Sequence, residues 1–252
     1  MKMKSTMLSL WLVTVLASAS AFSHDSDDSA FKKALQSEQR AQADRDRDLG
    51  RKPEKVMKFF GIKPGMTVLE VLSSGGYYTE VLALRVGPNG KVIAQNNNFI
   101  LEVFDGRFAK EFENRIANEK LPNVKHYKKE FGEFDLNNEV DVVTVVLNYH
   151  DLYSSASKEK RMKILAQLKK ALKPGGVLGL IDIESNAKQH NPKLHRVNQE
   201  YVKKELAEAG FELENEAAFL RNPNDDYNKV VFDPSVRGKT DRFVLRFKKP
   251  DA

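Results

Sequence analysis

The stretch from Met66 to Tyr78, reading M-T-V-L-E-V-L-S-S-G-G-Y-Y, constrains this chain more than any other. An apolar run through Val68, Leu69 and Val71 ends in small residues, and helix-compatible sequence follows from Thr79 through Leu84. Strand, tight glycine-bearing turn and helix, in that order, are how an α/β sheet presents a nucleotide-like ligand. Small side chains at Ser73, Ser74, Gly75 and Gly76 let the backbone approach such a ligand, and the opening helix offers unpaired N–H groups beside it. Glu70, near the carboxyl end of the strand, is placed to accept hydrogen bonds from an ammonium or hydroxyl group. The same turn would also serve as a plain packing junction, so spacing alone leaves both readings open.

The rest of the chain repeats the pattern. Gly87-Pro88-Asn89-Gly90 is a turn, and Lys91 to Gln95 reads as a second strand. Leu101 to Lys120 has helical periodicity and is broken at Leu121-Pro122-Asn123, before a short third strand over Val124 to Lys128. Asp141 to Leu147 is almost wholly apolar and β-branched, as a buried parallel strand should be. Ser157 is placed to cap a helix through Leu172, which Lys173-Pro174-Gly175-Gly176 stops. Val177 to Ile183 reads as a fifth strand, Val197 to Ala209 as a helix, and Phe211 to Phe219 as a sixth strand. Thr240 to Lys248 alternates as an antiparallel edge-region strand would. The alternation predicts an α/β fold with a mostly parallel sheet and helices on both faces. In such sheets ligands belong at the carboxyl ends of the strands. Those ends supply Glu70 with Ser73 to Gly76, Asn96, Glu130, Asn148 to Asp151, and Asp182 to Glu184.

At 252 residues, with 41% hydrophobic content, the chain suits one sizeable domain with extensions. Lys and Arg number 41 against 35 Asp and Glu, but the signs are interspersed, so no nucleic-acid partner is expected. Lys2 and Lys4 precede an apolar run from Met7 to Leu16 and then Ala17-Ser18-Ala19-Ser20-Ala21, the layout of a secretory signal peptide. That run is too short to span a bilayer comfortably, and cleavage after Ala19 or Ala21 would leave no stable membrane anchor. An uncleaved anchor is the alternative. The chain has no cysteine, which suits an oxidising compartment and removes lipid attachment, thiol catalysis and cysteine metal sites. The expected organisation is a signal peptide over 1–21, a polar segment and helix over 22–51, and a main domain over 52–252, in a periplasmic or secreted protein. Within 22–51, His24 to Ser29 reads as a flexible start and Ala30 to Arg51 as a charged helix, either a solvated face or a lid over a cleft. Pro53 opens a further helix through Phe60. Oligomeric state is not legible.

These residues together resemble a class I S-adenosylmethionine-dependent methyltransferase. The likeness rests on K-P-G-M-T-V-L-E-V (Lys63 to Val71), the turn before Tyr77-Tyr78, G-P-N-G-K-V (Gly87 to Val92) and L-K-P-G-G-V-L (Leu172 to Leu178). More narrowly, the chain is similar to a group of exported bacterial methyltransferases, through Asn148-Tyr149-His150-Asp151, His195-Arg196, Leu220 to Pro223 with Asp225-Asp226, and Arg237 to Phe243. The resemblance implies a Rossmann-like, seven-stranded sheet with one antiparallel strand, and residues 52–252 as the methyltransferase-like domain. It implies S-adenosylmethionine across the first three strand ends. Glu70, Ser73, Ser74, Gly75 and Gly76 would line its amino-acid part, with Tyr78 and Asn148 beside it, Asn96 at the ribose and Glu130 near adenine. Two departures stand out. The acidic-x-Gly-x-Gly-x-Gly pattern here reads Glu70-x-Leu72-x-Ser74-x-Gly76, and Asn96 replaces the usual ribose-binding acid. Ser74 costs little if its φ stays negative, whereas Leu72 needs room.

Methyl transfer from a sulfonium is an in-line displacement served by positioning and desolvation, and an oxygen or nitrogen acceptor also needs a base. His150 is the candidate base, against a structural histidine that bonds the loop backbone. Asp151 would orient the imidazole or cap the next turn, and Asp182 would face the acceptor or form a turn. His195 and Arg196 read as exposed, or else as a contact for an anionic substrate group, and Asp241–Arg242 as a structural ion pair or part of a lid. No H-x-x-x-H or H-E-x-x-H spacing occurs, so no metal is expected. The sequence therefore points to an exported methyltransferase acting on a small-molecule acceptor. The alternative is a catalytically inactive periplasmic binding or scaffold protein on the same fold. An NAD-dependent oxidoreductase is disfavoured, because G-x-G-x-x-G is absent and no acid ends strand two.

Overall fold

The computed structural model describes residues 16–186 and 190–251. Most of the expected signal peptide, residues 1–15, lies outside the described residues. Helix α1 (Leu16–Leu35) runs on through the segment expected to be a flexible start. Tertiary packing holds it there: Phe31 and Leu35 are buried, and Asp28 meets Arg85 at 2.6 Å. Two short helices follow, α2 (Gln42–Arg51) and α3 (Pro53–Phe60). No described helix is long and apolar enough to cross a membrane.

The sheet has seven strands: β1 (Thr67–Val71), β2 (Lys91–Asn96), β3 (Val124–Lys128), β4 (Val140–Val146), β5 (Leu172–Ile183), β6 (Glu212–Ala217) and β7 (Arg242–Lys248). Their order is β3-β2-β1-β4-β5-β7-β6, and β7 is antiparallel to both its neighbours. Period-two alternation sends neighbouring residues to opposite cores. Leu69, Val143 and Val145 join one cluster with helices α7 (Lys158–Ala171) and α8 (Gln199–Glu208), while Val68 and Val142 join α1, α3 and α4 (Tyr77–Val86). Each large aliphatic side chain buried this way contributes about 1.5–3 kcal/mol. Gly179 lets α3 come close, because a Cβ there would run into the Phe60 ring. The outer strand β6 is exposed, and Glu212, Glu214 and Glu216 on it discourage edge pairing.

Element boundaries differ from expectation where a side chain caps the chain. Asn97 accepts from Ile100 N at 3.0 Å, so helix α5 (Asn98–Ile116) starts early, and it kinks at Val103–Gly106. Ser157 caps α7 as expected, accepting from Lys160 N. Asn198 caps α8, leaving Val197 to bridge Glu184. The Lys173–Gly176 segment is not a free turn; β5 takes it in, with a register shift against β4.

Candidate active site

A cavity of about 1370 Å³ opens at the carboxyl ends of β1, β4 and β5. That is ample for a nucleoside-sized ligand with a second molecule beside it. The end of α2, the first part of α5 and the segment between β6 and β7 close its sides, so the N-terminal region supplies part of the wall.

The turn after β1 forms the floor, and Glu70, Ser73, Ser74, Gly75, Gly76 and Tyr78 all line the cavity. Its backbone departs from expectation. Ser74 has φ +52° and Leu72 φ +51°, so two non-glycine residues occupy the left-handed region where the usual motif has glycine. Leu72 is 5% exposed, with its side chain in the core cluster, which leaves the turn's backbone facing the ligand space. Gln95 and Asn96 hold this strained loop. Leu72 N donates to Gln95 Oε1 at 3.0 Å, Ser73 N to Gln95 O at 2.9 Å, and Ser74 N to Asn96 Oδ1 at 2.8 Å.

Asn96, expected at the ribose, is instead spent on the turn. It is fully buried, its amide also faces His126 Nε2 at 3.3 Å, and it does not line the cavity. Glu130 likewise stands outside the cavity, where its Oε1 accepts from Asn98 N at 2.8 Å at the start of α5. Asn148 does reach the cavity, and its Nδ2 donates to Leu72 O at 3.0 Å and Val146 O at 2.9 Å, tying the β1 and β4 ends together.

Glu70 is 4% exposed and accepts from Thr79 Oγ1 at 2.5 Å. Burial pushes its carboxyl up to about 8, against the opposing pull of the Thr79 hydrogen bond and of Arg115 and Arg51. A buried acid held neutral beside the turn is poised to ionise when a cation arrives. Arg51 lies over the Tyr77 and Tyr78 rings, 4.5 and 5.5 Å from their centroids.

On the other side, β4 passes into helix α6 (Tyr149–Ser155), which carries His150. Asp182, at the end of β5 and wholly buried, grips that residue twice: Oδ2 accepts from His150 N at 2.8 Å and Oδ1 faces His150 Nδ1 at 2.6 Å. Asp182, not Asp151, orients the imidazole, and it does not itself line the cavity. Asp151 Oδ1 lies 3.4 Å from His150 Nε2 and 2.8 Å from His195 Nδ1. Burial opposes protonation of His150, but the charge and hydrogen bond of Asp182, with Asp151, outweigh it and raise its pKa above the ordinary imidazole value. Ligand atoms of His150, Asp151 and His195 lie within 4.8 Å of one another, a grouping able to hold a metal ion that no sequence spacing announces.

The C-terminal assignments also change. Arg196 is not exposed; it is 1% accessible and forms a two-pronged pair with Asp225 at 2.8 and 3.1 Å. Asp241 pairs with Arg221 at 3.0 Å, not with its neighbour Arg242. Arg242, Arg51 and the aromatic rim of Phe99, Phe104 and Phe232 line the cavity; the sequence offered the two arginines only as parts of possible lids and gave the three phenylalanines no place there. The only signal was their place near element ends.

No family model matches the chain. It is 28% identical over 198 residues to the ubiquinone/menaquinone biosynthesis C-methyltransferase UbiE of Ectopseudomonas mendocina (strain ymp), covering 78% of this chain and 68% of that protein. It superposes on a SAM-dependent methyltransferase from Aquifex aeolicus with a TM-score of 0.61 and 26% identity, over 88% of this chain and 97% of that one. A possible exported protein from Bordetella parapertussis matches with a TM-score of 0.52 and 14% identity, over 82% and 68% of the two chains. Strand order, the single antiparallel strand and these likenesses agree: the chain has the class I S-adenosylmethionine-dependent methyltransferase fold.

Proposed function

We propose that this protein is an S-adenosylmethionine-dependent methyltransferase, exported by cleavage of residues 1–21, that acts on a small-molecule acceptor through its 52–252 domain. The observation that carries the reading is one cavity lined both by the buried Glu70 beside the β1 turn and by His150, locked by a carboxylate, at the end of β4. Relatives and neighbours that carry the same activity support it, and the neighbour described as exported supports the export reading.

The cradle fits the cofactor. The turn presents backbone, Leu72 is tucked into the core, and Glu70 is buried where an ammonium group would meet it. When bound, the cofactor supplies an electrophilic methyl group on a sulfonium. Glu70 balances its positive charge, and Asn148 keeps the β1 and β4 ends in register. Asp182 holds the imidazole at Nδ1 and leaves Nε2 to take the acceptor's proton. The α2 end and the segment before β7 exclude water, which sharpens these charge interactions.

Titration calorimetry of the full chain with S-adenosylmethionine and S-adenosylhomocysteine tests the reading. Micromolar binding is expected, and no binding at millimolar concentration overturns it. Asn96, spent on the turn rather than on a ribose, favours the rival reading of a binding or scaffold protein. Cofactor binding without transfer of a labelled methyl group to a small-molecule extract would select that rival.

A further inference from the structure

Four arginines are buried among the described residues: Arg40, Arg85, Arg196 and Arg242. Arg40 meets Asp48 at 2.6 Å, Arg85 meets Asp28 at 2.6 Å, and Arg196 meets Asp225 at 2.8 Å. Arg242, only 7% exposed, meets no carboxylate among the described residues. Its polar contacts are Thr240 Oγ1 at 3.3 Å and Gly50 O at 3.5 Å, both long for a guanidinium. A buried cation left this way is costly to keep, and nothing in the packing of β7 demands an arginine there.

Its surroundings add to the cost. Arg51, the cation above Tyr77 and Tyr78, likewise has no carboxylate partner among the described residues. Burial and the nearby Arg51 charge both push the Arg242 guanidinium down from its usual pKa. Both arginines line the cavity, so the missing negative charge has a route in. Arg242 stands on the β5 side, in register with Ile183, and its neighbour Phe243 is in register with Asp182, the residue that holds His150. Arg51, over the Tyr77 and Tyr78 rings that follow the β1 turn, faces it from the other side, so the pair lies between the β1 turn and the His150 side of the cavity. The cavity lip is apolar: Phe99, Phe104 and Phe232 are 69%, 56% and 52% exposed, large aromatic surface that a free protein has no reason to offer water.

We infer that Arg242 and Arg51 hold a carboxylate of the methyl acceptor, which is an anion with an apolar body seated against the aromatic lip. The inference rests on the methyltransferase reading for the word acceptor, but the anion site is defined by the arginines alone. A guanidinium fork suits a planar carboxylate, and the pair would anchor one end of the acceptor while His150 Nε2 serves the other.

The test uses the full chain, with benzoate and its neutral isostere benzamide as probes, titrated with and without S-adenosylhomocysteine. Benzoate binds and benzamide does not. Arg242→Met weakens benzoate about tenfold or more, the scale of a lost charge-assisted hydrogen bond, and leaves S-adenosylhomocysteine affinity within about twofold. The free variant melts no lower than the parent, because a burdensome charge has gone. Should Arg242→Met fail to fold, Arg51→Met, at a half-buried position, reads the same loss. Equal binding of benzoate and benzamide, or retention of benzoate by both variants, overturns the proposal. So does a variant that loses S-adenosylhomocysteine but keeps methylthioadenosine, which lacks the amino-acid part, since the arginines would then serve the cofactor's carboxylate. Selective benzoate binding with no S-adenosylhomocysteine binding would instead remove the methyltransferase reading and leave the anion site standing.

Discussion

Two stretches of the C-terminal third treat charge in opposite ways. In the segment between β6 and β7, Asp225 meets Arg196, which reaches over from before α8, Asp241 meets Arg221, and Asp225 also accepts from Asp241 N at 2.7 Å. A few residues on, at the start of β7, Arg242 is as deeply enclosed and has no such partner. The first stretch satisfies its valences within the chain and so shapes a wall. The second leaves them open toward the cavity, which Glu70 also lines. Burial alone therefore does not separate scaffold from site in this protein; completeness of pairing does.

The strongest challenge to that contrast is Arg196→Met. It strands Asp225 in the interior, and the expected loss is about 3–5 kcal/mol, against no loss for the same change at Arg242. Chemical denaturation of both variants gives the comparison directly. Arg196 and two backbone N–H groups overcome the cost of burying Asp225 and hold its carboxyl below the usual range. Its contribution is thus present above the ordinary carboxylate pKa of about 4 and is lost as pH falls through the depressed value. Similar melting of the two variants would erase the distinction.

Within the open half, His150→Ala should cut methyl transfer by about 10²-fold or more while S-adenosylhomocysteine affinity holds. Because Asp182 and Asp151 raise the His150 pKa, the free base appears only above the ordinary imidazole range. The transfer rate should therefore climb with pH, with an inflection above about 6.5, and Asp182→Asn should move that inflection downward. A pH profile blind to Asp182 would leave His150 a loop-fastening residue, however large the loss in the alanine variant.

What the sequence disclosed follows the range of the interaction concerned. Strand alternation and the Ser157 cap are set by neighbours a few residues away, and they stand where the pattern put them, whereas the turn at 72–76 is in its expected place but takes its hydrogen bonds from Gln95 and Asn96, more than 20 residues on. The sheet order is not set at that range, since β4 returns to the far side of β1 and β7 inserts between β5 and β6. Side-chain partners were less legible. Asp182 lies 32 residues from His150, and Arg196 lies 29 from Asp225. A strand-end position says that a residue is near the cavity, but not which way its side chain turns. Asn96 turns inward to accept from Ser74 N, beside Gln95, which accepts from Leu72 N and Ser73 N, and the N-terminus of α5 takes Glu130. The condition on which Ser74 would cost little, a negative φ, is not met, because Gln95 and Asn96 hold the turn from outside it.

Glu70 offers a smaller effect with a definite sign. Its pKa rises from 4.5 to about 8 on folding, so the unfolded chain gives up its proton first and stability declines as pH climbs between those values. Glu70→Gln should remove that decline and melt higher than the parent at pH 8, with little difference at pH 4. An ammonium-bearing ligand should draw the carboxyl into its charged form. At pH 7, S-adenosylhomocysteine binding should then release up to about one proton, seen as an enthalpy that depends on buffer ionisation, and affinity should increase toward pH 8 and level off beyond it. Proton-neutral binding would mean that the acid and the ligand's ammonium do not meet.

The smallest effect comes from the floor, where Leu72 and Ser74 share nearly the same left-handed φ yet should respond oppositely to glycine. At Ser74 glycine relieves about 1 kcal/mol of backbone strain and gives up a hydroxyl bond to Leu72 O at 3.2 Å that is only partly shielded from water. Part of the relief is offset by the greater entropy of glycine in the unfolded chain, so Ser74→Gly should gain about 0.5 kcal/mol. At Leu72 the same relief is outweighed by the lost core side chain, which makes Leu72→Gly destabilising. Thermal melts of the two variants decide it. If Ser74→Gly also loses stability, the left-handed turn is held by the serine itself, and the closed half of the cavity owes less to Gln95 and Asn96 than their hydrogen bonds imply.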